Sequence, residues 1–189
     1  MSTTATIEPL PGFQSREAAT FIAQLDDQSR RLALATRDLT PEELGWQPRP
    51  GMNTIGMLMT HLAIVEVWWT AIATGYDTKE GERWLGIGND DDGMPLAEDG
   101  VAPAGLKGKD LAYYDALLLQ ARKFVKDQLV SLPEAEMERV IERTRDDGTK
   151  RLCTVRWILY HILEHFAGHF GQILLLRHLY RVERVPASV

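Results

Sequence analysis

Apolar residues recur at three- and four-residue steps in four stretches of the chain, the spacing that places them on one face of a helix. The first stretch predicts a helix over Arg16–Asp38. The second is capped by Asn53 or Thr54 and ends at Gly75, where a glycine favours a left-handed helix end. The third and fourth predict helices over Asp110–Leu129 and from Val155, capped by Thr154, to about Arg181.

The segments between these helices lack that period. Residues 1–14 form an irregular, proline-containing lead-in, and residues 76–108 form a long glycine-rich loop. Residues 131–151 are polar, and Asp146-Asp147-Gly148 marks a turn that allows a short hairpin. The pattern predicts an all-α protein, a single domain over 1–189 built as an antiparallel four-helix bundle. A long loop between the second and third helices can cross the bundle, so strict up-and-down order stays open.

Composition narrows the class of protein. The chain has 189 residues, of which 44% are hydrophobic and 25% charged, as in ordinary globular domains. The single cysteine, Cys153, cannot form an internal disulfide, and we expect it to be structural and the protein to be cytoplasmic. A net charge of -6 without a Lys/Arg cluster argues against a nucleic-acid partner. No uninterrupted apolar run reaches the length of a membrane span, so no membrane partner is expected.

Histidines provide the candidate chemistry. The chain contains five of them: His61, His161, His165, His169 and His178. Three lie at four-residue steps on the last helix, so adjacent members share a face of the helix and can bind one metal ion together. His161 and His169 are separated by roughly 12 Å of helical rise, which leaves two alternatives, His161 with His165 or His165 with His169. His61, on a facing helix, offers a third ligand, and His178 lies on another face.

Three histidines with an open position are typical of catalytic rather than structural zinc. Gln172 and Trp157 lie close enough in sequence to line such a site. Trp68, seven residues after His61, shares its face of the helix. Glu66 and Glu164 point to other sides and are interpreted mainly as solvated carboxylates. The acidic loop at 89–93 does not fit a calcium loop, since Gly88 replaces a required aspartate, and it is interpreted as a solvated loop or lid.

Two stretches resemble the DinB-like superfamily of bacterial metal-binding bundles. Residues 165–173, HFAGHFGQI, resemble the terminal-helix motif of that superfamily. Residues 46–48 (WQP) and 51–56 (GMNTIG), followed by His61-Leu62, resemble its approach to the first metal-binding histidine. The resemblance implies a four-helix bundle in which His61, His165 and His169 bind zinc or nickel. His161 then becomes a neighbour of the ligands or a packing residue.

The resemblance also implies an enzyme that acts on a small molecule, pairing as a homodimer. The first hypothesis is transfer of a low-molecular-weight thiol, as cosubstrate, onto an electrophile through a metal-activated thiolate. The second is hydrolysis by metal-bound water, which needs a nearby base. The third is a non-catalytic bundle that binds a metal or ligand.

Overall fold

The structure, a computed structural model, describes residues 4–144 and 147–184 and is mainly helical. The prediction of four long helices is confirmed. The α-helices are α1 (Arg16–Thr36), α2 (Pro41–Gly45), α3 (Ile55–Thr74), α4 (Thr78–Leu85), α5 (Leu111–Leu129) and α6 (Val155–Arg184). Short 3-10 turns occupy Ala104–Leu106 and Glu134–Glu138.

Side-chain caps fix where the long helices begin. Ser15, Thr54 and Asp110 each accept a hydrogen bond from the backbone N–H three residues on, which satisfies a donor that the helix itself leaves free. The predicted cap of α6 is also present, since the Thr154 hydroxyl accepts from the Trp157 N–H at 3.1 Å. Gly75 ends α3 in a left-handed conformation with φ of 75°.

A two-stranded antiparallel hairpin precedes α6. Strand β1 (Val140–Thr144) pairs with β2 (Lys150–Thr154), so the protein is not purely helical. Arg143 and Arg151 are directly opposed in this register. Gly148 has the positive φ of a turn glycine, whereas Asp146 of the predicted turn lies outside the described residues.

Contacts between side chains give the directions of the long helices. The order along α3 runs against that along α6, because His61 meets His165 while Trp69 meets Trp157. α3 and α5 run in the same direction: Gly56 lies against Tyr114 near their starts, and Thr74 donates to Gln128 near their ends. The four long helices therefore do not alternate in direction along the chain, which answers the question of order that the sequence left open. The physical reason is the long segment between α3 and α5, which crosses back to the end of the fold where α3 begins.

Gly56 makes this α3–α5 contact close, since a Cβ at position 56 would overlap the Tyr114 hydroxyl. α1 runs in the same direction as α6. The Glu17 carboxylate accepts from Arg156 at 2.6 Å near their starts, and Asp38 pairs with Arg177 towards their ends.

The predicted 76–108 loop is not structureless. It contains α4, whose cap Asp77 accepts from the Glu80 N–H at 2.9 Å and which ends at Gly86 with φ of 79°. The helix has eight residues, of which only Gly81 and Leu85 are buried. Two turns with so few apolar positions give no readable period, which is why the sequence pattern missed it.

α3 is the central helix of the core. By length and composition it could cross a membrane, with a mean hydropathy of 1.5, but 83% of its apolar window is buried inside the protein. It packs against α5 on one side and α6 on the other. The core helix of a globular fold is buried in this way. Because α3 packs on α6, His61 faces the interior side of α6.

Candidate metal centre

Three imidazoles from two helices converge on one point. His61 projects from the second turn of α3, and His165 and His169 project from one face of α6. The His165 Nε2 lies 3.1 Å from the Nε2 of His61 and 3.1 Å from the Nε2 of His169. One ligand atom from each of the three residues lies within 4.8 Å of the others.

Asp92 holds the far side of the His61 ring. Its Oδ2 lies 2.7 Å from His61 Nδ1, and its Oδ1 accepts a hydrogen bond from the Met94 N–H at 2.8 Å. The Asp92 side chain is 1% exposed. A buried carboxylate at this distance accepts the Nδ1 proton, so the Nε2 of His61 carries a lone pair directed at the other two histidines.

Gln172 plays the same part for His169. Its Oε1 lies 2.7 Å from His169 Nδ1, one helical turn further along α6. With the amide oxygen so placed, the Nδ1 of His169 is the protonated nitrogen and Nε2 again carries the lone pair. His61 and His169 thus both direct an unprotonated Nε2 towards His165.

The donor set fits a divalent ion. Bound at about 2.0–2.1 Å in a tetrahedral shell, two imidazole nitrogens stand roughly 3.3–3.4 Å apart, close to the two 3.1 Å separations here. Without an ion, His165 Nε2 has one proton at most to offer two facing lone pairs. Its Nδ1 is buried without a hydrogen-bond partner in the described structure, so neither tautomer is fully satisfied.

Burial lowers the pKa of two histidines of α6, His165 and His169. Desolvation, reinforced by His169, His61 and His161, lowers the pKa of His165 to about 3. Desolvation also lowers the pKa of His169, against the opposing effect of its Gln172 hydrogen bond. Neutral imidazole is the form that binds a metal, so these residues are ready as ligands at neutral pH without losing a proton.

His161 adjoins the cluster without joining it. Its ring centroid is 5.7 Å from that of His165, and the Trp157 ring stacks on it at 4.9 Å with an interplanar angle of 10°. Trp69 meets the His161 ring edge-on at 5.0 Å. The spacing alternatives therefore resolve geometrically: the pair His165–His169 converges with His61, and His161 packs in an aromatic layer beside it.

Trp68 was expected to line the site beside His61, but its ring contacts lie towards the hairpin. It packs on Trp69 at 5.0 Å, and the Arg143 guanidinium lies 4.3 Å from its ring centroid. Seven residues of helix carry Trp68 roughly 10 Å along α3 from His61. That distance puts it opposite the hairpin rather than opposite the converging nitrogens.

The two glutamates considered as bases are engaged away from the three nitrogens. Glu66 points elsewhere as expected, yet it is not solvated. It is 1% exposed and accepts two hydrogen bonds from Arg122, at 3.0 and 2.8 Å. The Oε1 of the exposed Glu164 lies 3.9 Å from the Nδ1 of His161.

Asp92 is the site residue that sequence reasoning missed. It belongs to the acidic segment 89–93, which was interpreted as solvated, and its neighbours Asp90 and Asp91 are indeed exposed. Asp92 is distinguished from these neighbours by its contact with His61, which lies 31 residues earlier in the chain. Cys153 is buried at 6% exposure with its thiol towards the Ile141 carbonyl, and His178 is exposed, so neither joins the site.

Comparison with known protein families gives a match over residues 20–182 to the family described as MST: Mycothiol-S-transferase. The matched span contains His61, His165, His169 and Asp92. A search of curated proteins found no match.

Proposed function

Because this chain belongs to the mycothiol-S-transferase family, within the DinB-like superfamily, we propose that it transfers mycothiol, or a related small thiol, onto an electrophilic small molecule. In that reaction the thiol sulfur forms a bond to the electrophilic carbon. A leaving group departs with the electron pair of the broken bond, or a double bond takes up the pair, and the thiol proton passes to solvent. The observation that carries the proposal is the convergence of three Nε2 atoms within the matched span.

We propose His61, His165 and His169 as ligands of one zinc or nickel ion in a four-helix bundle of the DinB type. When bound, such an ion supplies the charge that converts a coordinated thiol to its thiolate near neutral pH. Imidazole donors suit both metals, so the choice between them follows availability.

The residues around the ligands orient and insulate them. Asp92 and Gln172 each hold an Nδ1 proton, which fixes the tautomer and the plane of the ring. The aromatic layer of Trp157, His161 and Trp69 covers the next turn of α6. These rings lower the local dielectric, which strengthens electrostatic interactions at the nitrogens.

Thiol transfer is favoured over hydrolysis by the positions of the carboxylates. A hydrolase needs a base near its nucleophilic water. Asp92 lies behind the His61 ring, on the side away from Nε2, while Glu66 is bound to Arg122. A thiol of low molecular weight brings its own nucleophile, so transfer needs no such base.

The test is conjugation of mycothiol to monobromobimane, which loses bromide as the carbon–sulfur bond forms. Protein purified without chelator and loaded with zinc or nickel should accelerate conjugate formation, measured by separation and fluorescence. His165→Ala should remove the acceleration, while His178→Ala, on an exposed position of the same helix, should retain it.

Parallel reactions with glutathione and cysteine test the identity of the thiol, because a mycothiol transferase should turn these over more slowly. Equal rates with and without the metal-loaded protein, for every thiol, would contradict the proposed function. Retention of full activity in His165→Ala would contradict its placement.

A further inference from the structure

A cationic and aromatic layer lies one to two helical turns from the three histidines, towards the start of α6. The Arg151 guanidinium carbon lies 4.2 Å from the centre of the Trp157 ring, which also stacks on His161. Arg143 lies over Trp68 and Trp69 at 4.3 and 4.6 Å. The two arginines are cross-strand partners of the hairpin, so their side chains share one face of the sheet.

The arrangement concentrates positive charge. Like charges directly opposed on a sheet repel each other, yet here both stand on tryptophan faces beside a proposed catalytic centre. Arg151 has no ion pair with a carboxylate among residues 4–144 and 147–184. Desolvation chiefly lowers the pKa of His161, against the opposing effect of Glu164, and the charge of Arg151 adds to the lowering.

Three of the five tryptophans of the chain belong to this layer, and the rings of Trp69 and Trp157 lie 5.9 Å apart. The Trp157 ring already has Arg151 and His161 packed against it, so it holds the guanidinium in place rather than offering a free face to a ligand. A guanidinium favours a carboxylate through paired charge-assisted hydrogen bonds.

We infer that Arg151, held on the Trp157 ring, forms the subsite for the electrophilic acceptor and selects an acceptor bearing a carboxylate. The assignment rests on the proposed thiol transfer. From Trp157 to His165 the rise is roughly 12 Å, so the hydrogen bond to Arg151, the aromatic ring of the acceptor and the bonds through sulfur to the histidine site together have to cover it.

We assign the thiol to the other side of the histidines, towards the start of α3. A cavity of about 690 Å³ lies beside the start of α3, lined among others by Trp46, Gln47 and Thr54. Thr54 is seven residues before His61, so the cavity and the hairpin lie in opposite directions along α3 from the ligands. A bulky thiol entering from the cavity leaves the hairpin side to the acceptor.

The test uses a matched pair of chloroarenes as acceptors, 4-chloro-3,5-dinitrobenzoate and its neutral carboxamide. In each, the thiolate sulfur bonds to the ring carbon and chloride leaves with the electrons of the broken carbon–chlorine bond. Arg151→Met should raise KM for the carboxylate by about tenfold or more, the loss of one charge-assisted interaction. It should leave KM for the carboxamide and for mycothiol within about twofold.

Two variants control for the fold. Arg151→Lys keeps the charge and should recover part of the lost affinity. Lys150→Met removes the neighbouring cation of the same hairpin, which pairs with Glu142, and should change nothing for either acceptor. A KM change confined to mycothiol, or equal changes for both acceptors in Arg151→Met, would overturn the inference.

A binding measurement separates this inference from the proposed function. Dinitrobenzoate without the chlorine cannot react, and its binding quenches tryptophan fluorescence. Its Kd should rise about tenfold or more in Arg151→Met and stay unchanged in Lys150→Met. Selective binding without turnover would refute the transferase and keep the anion subsite. Equal Kd values for dinitrobenzoate and dinitrobenzamide would refute the subsite even if turnover is observed.

Discussion

The Asp92 carboxylate lies 2.7 Å from the Nδ1 of His61 and is almost completely buried. The contact joins the segment between α4 and α5 to the second turn of α3, and it sets the tautomer of one of three converging imidazoles. A side chain in an otherwise exposed acidic segment thereby becomes part of the candidate metal centre.

Asp92→Asn should weaken metal binding by about 10–100-fold, the usual effect of losing a carboxylate behind a histidine ligand. An amide can still accept the Nδ1 proton but carries no charge to strengthen the imidazole as a donor. Competition with a chromophoric zinc chelator measures the affinity. Asp90→Asn, which neutralises an exposed carboxylate of the same segment, is the control, and equal affinities of the two variants would refute the role of Asp92.

Gln172→Ala should also weaken metal binding, but by a smaller factor than Asp92→Asn. The Gln172 side chain is exposed, so water can replace its oxygen as acceptor for His169. Gln172→Glu restores an acceptor with a charge and should bind the metal at least as tightly as the wild type. The same chelator competition ranks the three proteins, and a weaker Gln172→Glu than Gln172→Ala would contradict this reasoning.

The buried neutral state of His165 predicts the pH dependence of the metal-free protein. Its pKa falls from the ordinary 6.5 to about 3 in the fold, chiefly through desolvation. Between these values the unfolded chain binds the proton and the folded protein does not, so stability is fully present above pH 6.5 and declines as the pH falls towards 3. Chelator-treated wild type should therefore lose Tm on acidification more steeply than His165→Gln. Parallel slopes for the two proteins would contradict the prediction.

Arg122 is a buried charge whose removal should strongly lower the stability of the fold. It donates to both oxygens of Glu66 and to Asp26, which links α5 to α3 and α1. Arg122→Met leaves the Glu66 charge without its partner and should cost about 3–5 kcal/mol in the free energy of unfolding, measured by urea denaturation.

The double variant Glu66→Leu with Arg122→Met removes both charges and should recover much of that loss. Arg83→Met, which removes an exposed arginine of α4, should have little effect. A double variant less stable than Arg122→Met alone would show that the pair does not act as a unit.

The extent to which the sequence predicts this structure follows from the range of the interactions. The long helices were predictable because an apolar face repeats within a few residues, and Thr54 and Thr154 are local caps. The four-residue step between His165 and His169 is equally local. The features that the sequence pattern did not predict are non-local. Asp92 meets His61 across a segment without period, and the direction of α5 depends on the path of the crossing segment.

The hairpin shows the same limit. Its turn signal was readable at Gly148, but the position of its arginines over Trp68 and Trp157 depends on how the hairpin folds onto α3 and α6. α4 has only two turns and two buried residues, and its stability comes from the Asp77 cap and packing rather than from a pattern.

The most direct test of the central claim is the metal content of protein purified without chelator or nickel affinity resin, measured by elemental analysis beside His165→Ala and His178→Ala. We predict about one equivalent of zinc or nickel per chain in the wild type and in His178→Ala, and its loss in His165→Ala. A wild type that holds no divalent metal and binds none on titration with zinc or nickel would contradict the claim. So would a His165→Ala variant that keeps a full equivalent.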